Sequence, residues 1–427
     1  MTGLDIAIDE DDLVATLVRL VGFASIGGSP DELRIQDHLA ETWRSEGLDV
    51  HRWHVDLADP DGLAADPAFP GMEVERPECR GVTATWAGTG GGGTLLINAH
   101  TDVVPPGDMD AWSGDPYQAR VVSGPHGPSI AGRGTCDMKG GLASAMAALR
   151  ALRAMGVRLR GDVMLAPVSG EEDGGVGTFA LVRELDQRGI SPVACIIPEP
   201  TALDLVPANG GALTFRLRVR GQAAHASRRT EGVSAISAFP PILAALSALE
   251  QQRNARVDPL MQRWPIAYPV SVGVVHSGDW ASTVPDLLIA EGRYGVMLGE
   301  DIDSARASFE AAIARVSAAD PWLSEHPVEV EWWGGQFASG ATSTDDPLVE
   351  IVRTAHHQHT RRFPSIYGAP YGSDLRLLAP RMATVQYGPG DSALAHSPAE
   401  SVPIAQLVEC ARTLALAMVA VCGVAAD

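Results

Sequence analysis

Short apolar runs bounded by glycine and proline recur through the first half of the chain. These runs occupy residues 94–99, 163–168 and 194–198. Their length and near-continuous apolar character are typical of central strands in a sheet that is covered on both faces. Helical periodicity separates them, with stretches that begin at Glu10 and Pro30 and an Ala- and Leu-rich stretch at 143–155. The alternation predicts an α/β domain with a central, mostly parallel sheet and crossover helices.

The pattern changes near Asn209. Residues 212–220 alternate apolar with charged side chains, which is typical of a strand exposed on one face. The next stretches have the patterns of helix, strand, strand, helix and strand, at residues 232–251, 269–275, 287–296, 303–318 and 328–333. This β-α-β-β-α-β order predicts a ferredoxin-like α+β domain. We therefore predict an inserted lid domain at residues 209–337, with residues 1–208 and 338–427 forming one discontinuous catalytic domain.

Most members of a set of seven acid and imidazole side chains follow the apolar runs. The set is His100, Asp102, Asp137, Glu171, Glu172, Glu199 and His396. In open α/β sheets the ligand site lies beyond the carboxyl ends of the strands. Taken singly, each residue is typical of a solvated strand end. Collected at one edge they would repel one another unless a cation held them together, so the whole set predicts a metal site.

The mixture of ligand types indicates which ions would bind. Imidazole together with carboxylate suits Zn²⁺ or a similar divalent ion, whereas Mg²⁺ and Ca²⁺ prefer sites made only of oxygen. One ion needs about four ligands, so five or six candidates indicate two ions that share a carboxylate. Glu171 and Glu172 are adjacent, and outside a helix their side chains diverge. One of them can bind an ion while the other faces the substrate water as a general base.

Charge and cysteine content exclude several classes of partner and compartment. The net charge of −21 argues against nucleic acid or an anionic membrane as a partner. Five cysteines without paired spacing fit a reducing cytosol. The acidic stretch 1–12 lacks the features of a signal peptide, and the apolar stretch 404–426, interrupted by charges, predicts an amphipathic helix that covers the sheet. We therefore expect a cytoplasmic protein.

Other candidate chemistry is weaker. Cys136 precedes Asp137 and has no histidine motif beside it, which disfavours a nucleophilic role. The tract of three histidines within residues 356–359 follows a helical pattern, and we interpret it as a solvated helix end. Residues 51–80 are rich in proline and aspartate, and their pattern predicts no regular structure.

Several segments resemble one family of metallohydrolases. They are Asn98–Pro105, Gly132–Gly141, Gly170–Glu172, Pro198–Thr201 and Gly388–Glu400. In this order they resemble the acetylornithine deacetylase and succinyl-diaminopimelate desuccinylase family, which also includes carboxypeptidases and aminoacylases. The resemblance implies a zinc-peptidase-like catalytic domain that binds two zinc ions, for which cobalt can substitute.

The resemblance also implies a role for each member of the set. His100 and Glu199 would bind one ion, Glu172 and His396 the other, and Asp137 would bridge both. Asp102 would orient His100 through its second ring nitrogen. Glu171 would be the general base and acid. The peptide bond between Asp137 and Met138 is expected to be cis.

Further motifs in and near the lid resemble the family's substrate-binding segments. His225 would stabilise the oxyanion in the active site of a partner subunit, so a homodimer formed through the lid is expected. Arg293 would bind a substrate carboxylate as a planar bidentate donor. Ser282 stands where the family commonly has asparagine, and Gly372 and Ser373 would close over the carboxylate end of the substrate.

These observations predict a metal-dependent amidohydrolase that removes an acetyl, succinyl or similar acyl group from an amino acid or related amine. A dipeptidase or carboxypeptidase of the same superfamily is the alternative. In the family, peptidases often have aspartate and ureidohydrolases often have histidine at the position of Glu199, so glutamate favours a deacylase. A binding protein without activity is disfavoured because all seven positions of the set are occupied. The identity of the acyl group and of the amine stays open.

Overall fold

A mixed sheet and its covering helices position the predicted metal ligands. The computed structural model describes residues 4–125 and 127–426, so the first three residues of the acidic N-terminal stretch lie outside it. The helices are α1 (Glu10–Val21), α2 (Pro30–Ser45), α3 (Lys139–Ala154), α4 (Val176–Gln187), α5 (Ala235–Asn254), α6 (Ile302–Ala319), α7 (Pro347–Thr360), α8 (Leu375–Leu378) and α9 (Ile404–Cys422).

Each of the three apolar runs in the first half of the chain forms a strand, at Leu95–His100, Val163–Val168 and Ala194–Ile197. The strands are β1 (Asp49–Asp56), β2 (Glu78–Trp86), β3 (Leu95–His100), β4 (Arg120–Gly124), β5 (Gly127–Ala131), β6 (Val163–Val168), β7 (Ala194–Ile197), β8 (Leu205–Asn209), β9 (Gly211–Arg220), β10 (Ala224–His225), β11 (Val270–Ser277), β12 (Thr283–Val284), β13 (Leu287–Val296), β14 (Glu329–Phe337), β15 (Gly340–Ala341), β16 (Ile366–Ala369), β17 (Ala383–Gln386) and β18 (Ser401–Pro403).

The chain forms two units whose boundaries differ from the prediction. The first unit comprises residues up to Pro207, then Ala341–Tyr367, and then residues from Leu377 onward. The second unit comprises Ala208–Gly340 and also Gly368–Arg376, whereas the predicted lid ended at residue 337. In this segment the carbonyl of Ala369 accepts the backbone N–H of Gly210, and that of Gly368 accepts the indole N–H of Trp264. A hydrophobic pattern does not reveal such bonds.

In the first unit the sheet has the order β1-β2-β6-β3-β7-β17-β8. The central strands β6, β3, β7 and β17 are parallel, and the flanking pairs β1–β2, β2–β6 and β17–β8 are antiparallel. The predicted α/β class is confirmed, although the sheet is mixed. Because the central strands are parallel, their carboxyl ends meet at one edge.

Residues 51–80, predicted to lack regular structure, include parts of two strands. β1 and β2 pair from Asp49 opposite Thr85 to Asp56 opposite Glu78. Strand β1 is rich in charged and imidazole side chains and largely solvent-facing, so it lacks the apolar run that identified the central strands. Only the connection 57–77 is without strands.

Helix α9 packs in the core of the first unit, against α3 and α7. Among the described residues it is the one helix long and apolar enough to cross a membrane by length and composition. Its buried face includes Leu407, Cys410, Leu414 and Met418. These contacts identify it as a core helix that covers the sheet, in agreement with the sequence prediction.

The second unit has the predicted strand and helix order. Its antiparallel sheet has the order β11-β13-β9-β14, and α5 and α6 pack on it and on each other. Phe215 of β9 and Phe309 of α6 lie with ring centroids 4.6 Å apart in a core that also buries Tyr294. The β-α-β-β-α-β interpretation is therefore confirmed.

The prediction of a solvated helix end at residues 356–359 is wrong for its first histidine. His356 is only 5 % exposed, and its Nδ1 lies 2.7 Å from the hydroxyl of Tyr387. That hydroxyl lies 3.0 Å from Oγ1 of Thr413, which also lies 2.9 Å from Nε2 of His359. Helix α7 turns these rings towards α9, and sequence periodicity did not show this because α9 lies far along the chain.

This network predicts a loss of stability in mild acid. Burial, followed by the charge of Arg362, lowers the pKa of His356 to about 4, and burial with the proximity of His356 lowers that of His359 to about 4. The unfolded chain takes up these protons first, so stability falls as the pH drops from the ordinary value near 6.5 towards 4. We expect the melting temperature of His356→Gln to depend less on pH across this window than that of the wild type. The exposed His276→Gln is the matched control, and an unchanged pH dependence in His356→Gln would contradict this origin.

Candidate metal centre

The strand ends bring the predicted ligands to one edge of the sheet in the first unit. His100 is the last residue of β3, and Glu199 follows β7 by two residues. Glu171 and Glu172 lie in the turn between β6 and α4. Asp137 lies two residues before α3, after the loop that leaves β5. Since β3, β6 and β7 run parallel, these positions converge although they are far apart in sequence.

Five of these side chains form two groups that share one carboxylate. His100, Asp137 and Glu199 present ligand atoms that all lie within 4.8 Å of one another, and so do Asp137, Glu172 and His396. The Nε2 atom of His100 lies 3.0 Å from one oxygen of Asp137, and Nε2 of His396 lies 3.5 Å from the other. The two oxygens of Asp137 thus face two different groups, which is the arrangement of a bridging ligand.

The carboxylates in these two groups stabilise positive charge on the neighbouring imidazoles. Burial alone would lower the pKa of His100, but Asp137 and Glu199 raise it well above its ordinary value. Hydrogen bonds to Asp137 and Glu172 raise the pKa of His396 to about 11. Imidazoles bind zinc only when they are deprotonated, so a divalent cation and these protons compete for the same nitrogens. The donor set of imidazole nitrogens and carboxylate oxygens therefore fits two divalent cations.

Asp102 contacts the second ring nitrogen of His100, and it does so mainly through its main chain. The Nδ1 atom of His100 lies 3.0 Å from the backbone carbonyl of Asp102 and 3.8 Å from its carboxylate. The carboxylate instead accepts the backbone N–H groups of Glu171, at 3.3 Å, and Glu172, at 3.1 Å. Asp102 therefore orients the imidazole through its main chain and the glutamate turn through its side chain.

Two of the predicted ligands, Asp137 and His396, have unusual backbone conformations. The Asp137–Met138 peptide bond is cis, as predicted from the resemblance. His396 has a φ of 60°, in the left-handed region that non-glycine residues rarely adopt. Its side chain remains 53 % exposed. Such a backbone conformation persists where surrounding contacts impose it, and it is frequent at functional sites.

Glu400 supports Asp137, and no pattern in the sequence predicted this role. Its carboxylate accepts the backbone N–H groups of Cys136, at 3.1 Å, and Asp137, at 3.2 Å. It also forms a buried ion pair with Arg133. Burial and the charge of Asp137 raise the pKa of Glu400 to about 7, whereas Arg133 opposes this. Glu400 lies in the segment Gly388–Glu400 together with His396, and this proximity in sequence is the feature that could have indicated its role.

Cys136 has none of the features of a nucleophile. It is fully buried, and its Sγ contacts the backbone carbonyl of Asp391 at 3.3 Å. Burial, followed by the charges of Asp137 and Glu400, raises the pKa of its thiol well above the ordinary value. A reactive cysteine needs a depressed pKa and exposure, so the structure agrees with the sequence interpretation.

In the second unit, His225 and Ser282 lie next to each other on the surface. Strands β10 and β12 pair, with His225 opposite Thr283. The backbone N–H of Ala226 donates to the carbonyl of Ser282 at 2.8 Å. His225 is exposed, and its Nδ1 lies 2.8 Å from the hydroxyl of Ser227. This bond fixes one ring nitrogen and leaves Nε2 directed away from it.

The remaining predicted binding residues lie in the same unit, and two of them, Arg293 and Gly372, lie beside Phe337. The guanidinium of Arg293 lies 5.7 Å from the centre of the Phe337 ring. A Cβ atom on Gly372 would lie 2.6 Å from the Phe337 side chain, so only glycine fits there. Ser373 donates to Oδ1 of Asn209 at 3.2 Å. Arg376, for which no sequence pattern predicted a role, has its guanidinium carbon 3.9 Å from the centre of the same ring.

Comparisons with known proteins agree with this architecture. The profile of Peptidase family M20/M25/M40 matches residues 96–420. N-formyl-4-amino-5-aminomethyl-2-methylpyrimidine deformylase from Bacillus subtilis is 29 % identical over 343 residues, which are 74 % of this chain and 76 % of that protein. Succinyl-diaminopimelate desuccinylase from Dechloromonas aromatica is 34 % identical over 222 residues, 50 % of this chain and 56 % of that protein.

A solved structure extends the similarity to nearly the whole fold. The tripeptidase from Staphylococcus aureus has a TM-score of 0.73 and covers 97 % of this chain and 99 % of its own, at 21 % sequence identity. At this identity the similarity supports the fold alone.

Proposed function

Because the chain belongs to Peptidase family M20/M25/M40, we propose that it is a metal-dependent amidohydrolase that removes an acyl group from an amino acid or related amine. The observation that carries the proposal is the pair of ligand groups that share Asp137, with Glu171 in the turn beside them. The similarity to a deformylase and a desuccinylase, which both release an amine from an amide, supports an acyl group as the part removed.

Zinc is the ion that the donor set favours, and cobalt should substitute for it. His100, Glu199 and Asp137 would hold one ion, and Asp137, Glu172 and His396 the other. When bound, two such ions supply Lewis acidity, which polarises an amide carbonyl and lowers the pKa of water. The imidazole nitrogens favour zinc over magnesium or calcium.

Glu171 is the proposed general base and acid. Its backbone N–H donates to Asp102, and its side chain is only 7 % exposed. Glu171 accepts the proton of the attacking water and then delivers it to the leaving nitrogen. The adjacent Glu172 contacts His396 at 3.1 Å, so the two neighbours have separate tasks. Asp102 holds both of their backbone N–H groups and thereby fixes the turn that carries them.

The second unit supplies the proposed substrate contacts. His225 donates a hydrogen bond to the oxyanion that forms when the amide carbonyl is attacked. Arg293, which lies beside the Phe337 ring, binds a carboxylate of the substrate. Gly372 and Ser373 close over that carboxylate end, and Ser282 lies beside His225. A planar guanidinium binds both oxygens of a carboxylate, which favours N-acyl amino acids over neutral amides.

A substrate panel tests the proposal. N-formyl, N-acetyl and N-succinyl amino acids and dipeptides would each be incubated with protein loaded with Zn²⁺ or Co²⁺, and the release of free amine measured. Preferential hydrolysis of one acylated series supports a deacylase and identifies the acyl group. Preferential cleavage of dipeptides would favour the peptidase alternative. Hydrolysis of neither class would contradict the proposal.

We also infer a homodimer in which His225 acts in the active site of the partner subunit. The exposure of His225 and the family resemblance support this inference. His225→Ala and Glu171→Gln should each be nearly inactive alone. An equal mixture of the two, after subunit exchange, should recover about one quarter of the wild-type activity, because each mixed dimer contains one intact site.

The same mixture provides its own control. Each variant is first mixed with itself under the same exchange conditions, which should recover nothing. Absence of recovery in the heterologous mixture, although mixed dimers are detected by mass, would contradict action in trans.

A cytoplasmic location is a further part of the proposal. All five cysteines are buried and none of them forms a disulfide bond, which fits a reducing compartment.

A further inference from the structure

The connection between β1 and β2 reaches the turn that carries the proposed catalytic glutamates. This 57–77 segment lies in the first unit, as do Glu171 and Glu172. It ends with Arg76 and Pro77 directly before β2. Arg76 is fully buried, with 2 % of its side chain exposed. A buried arginine needs partners for its charge, and those partners define what the segment does.

Arg76 bridges helix α2 and the glutamate turn. Its Nη2 lies 3.0 Å from Oδ1 of Asp173, and its Nη1 lies 3.1 Å from Oδ2. Its Nε donates to Glu32 of α2 at 3.3 Å. Both carboxylates are buried, and the contact with Asp173 is bidentate. Such pairs fix direction as well as distance, so Arg76 determines where Asp173 points.

The backbone of the segment adds to this contact. The N–H groups of Glu73 and Val74 donate to Oδ2 of Asp173 at 3.1 Å and 2.8 Å. Glu73 N also lies 3.1 Å from the backbone carbonyl of Asp173. Asp173 is therefore the common acceptor for the whole end of the segment.

Two glycines in the turn permit this close approach. A Cβ atom on Gly174 would lie 2.1 Å from the backbone oxygen of Gly71. A Cβ atom on Gly170, whose φ is +67°, would lie 2.8 Å from Nη1 of Arg76. The glutamate turn can therefore contact the 57–77 segment closely at both Gly170 and Gly174, because neither residue carries a side chain.

The turn is held from its other side by Asp102. The carboxylate of Asp102 accepts the N–H groups of Glu171 and Glu172, and Arg76 holds the next residue, Asp173. Three consecutive acids follow Gly170, and only positive charge or donated hydrogen bonds keep them in one conformation. Loss of Arg76 would leave Asp173 buried without a cation, which strongly favours rearrangement of the turn.

We propose that Arg76 is a positioning residue for the reaction: through Asp173 it fixes the turn that presents Glu171 as base and Glu172 as ligand. The effect on turnover rests on the proposed amidohydrolase function, whereas the effect on the conformation of the turn does not. Arg76 belongs to neither ligand group, and it reaches the glutamate turn through its contact with Asp173.

Activity measurements on three variants provide the first test. Arg76→Ala should lower kcat about 10- to 100-fold with little change in KM, because the affected turn positions the base rather than the substrate. Asp173→Asn should have a similar effect. The double variant should lose about as much as either single variant, since both remove the same contact. Added guanidinium ion should partly restore Arg76→Ala but not Asp173→Asn.

Arg183→Ala is the matched control. Arg183 also anchors the 57–77 segment, through an ion pair with Asp66, but this pair is partly exposed and does not contact the glutamate turn. Its kcat should remain within about twofold of the wild type, as for most exposed ion pairs. An equal loss of kcat in Arg183→Ala would show that any loosening of the segment suffices, and the specific role of Arg76 would be wrong.

Hydrogen exchange separates this proposal from the proposed function. In Arg76→Ala the amides of residues 171–175 should exchange faster, whereas those of β3 and β7 should not. Arg76→Lys, which retains the charge without the bidentate geometry, supplies a second folded variant and should show an intermediate effect. Unchanged exchange in the turn would overturn the positioning role even if the wild type proves inactive on every substrate. Unchanged kcat in folded Arg76→Ala would overturn it for an active enzyme.

Discussion

Replacing Glu171 with glutamine is expected to lower kcat by about 10²- to 10⁴-fold while both ions remain bound. Glutamine retains the size of the side chain but cannot accept and return a proton. The ligand groups do not include Glu171, and its backbone N–H bond to Asp102 does not involve the side chain. Steady-state kinetics with the best substrate of the panel, together with metal content by elemental analysis, would measure both expectations.

The exposed Glu41→Gln provides a control for the substitution itself. It should leave kcat and metal content unchanged. Full activity in Glu171→Gln would remove Glu171 as base. Loss of metal in parallel with loss of activity would instead make Glu171 a ligand, and the assignment of Glu172 would then need revision.

The second large effect is expected from Asp137→Asn, which should abolish activity and weaken both ion sites. Asp137 is the only residue shared by the two ligand groups found among the described residues. Variants of residues in one group, Glu199→Ala or His396→Ala, should weaken mainly one site. Calorimetric titration with Zn²⁺ into the chelator-treated protein would give the number of ions and their affinities.

Thermal melting provides an independent measure of the same loss. An ion that binds only the folded state stabilises it by about 2.7 kcal/mol at a concentration one hundred times its Kd. Wild-type protein should therefore melt at a higher temperature after Zn²⁺ is added, and Asp137→Asn should show little of this increase. Two ions bound with wild-type affinity in Asp137→Asn would contradict the bridging role.

The sequence alone predicted the fold class and the edge of the sheet at which the candidate ligands lie. Buried parallel strands have continuous apolar sequences, and the residues that follow such strands lie together at the carboxyl edge of the sheet. The local pattern therefore predicted that His100 and Glu199 lie at this edge, whereas the family resemblance implied how the ligands divide between two ions. The β-α-β-β-α-β order of the second unit was equally readable because each element has its own periodicity.

Tertiary structure decided the contacts that hold this site in place. Asp173 follows the glutamate pair directly, but its partner Arg76 lies 97 residues away in a segment without periodicity. Glu400 reaches the N–H of Asp137 across 263 residues, and the carboxylate of Asp102 holds the glutamate turn rather than the imidazole. The burial of His356 likewise depends on α9. Local patterns determine which element forms and which face is apolar, whereas the partner of a buried charge depends on the way in which distant segments pack.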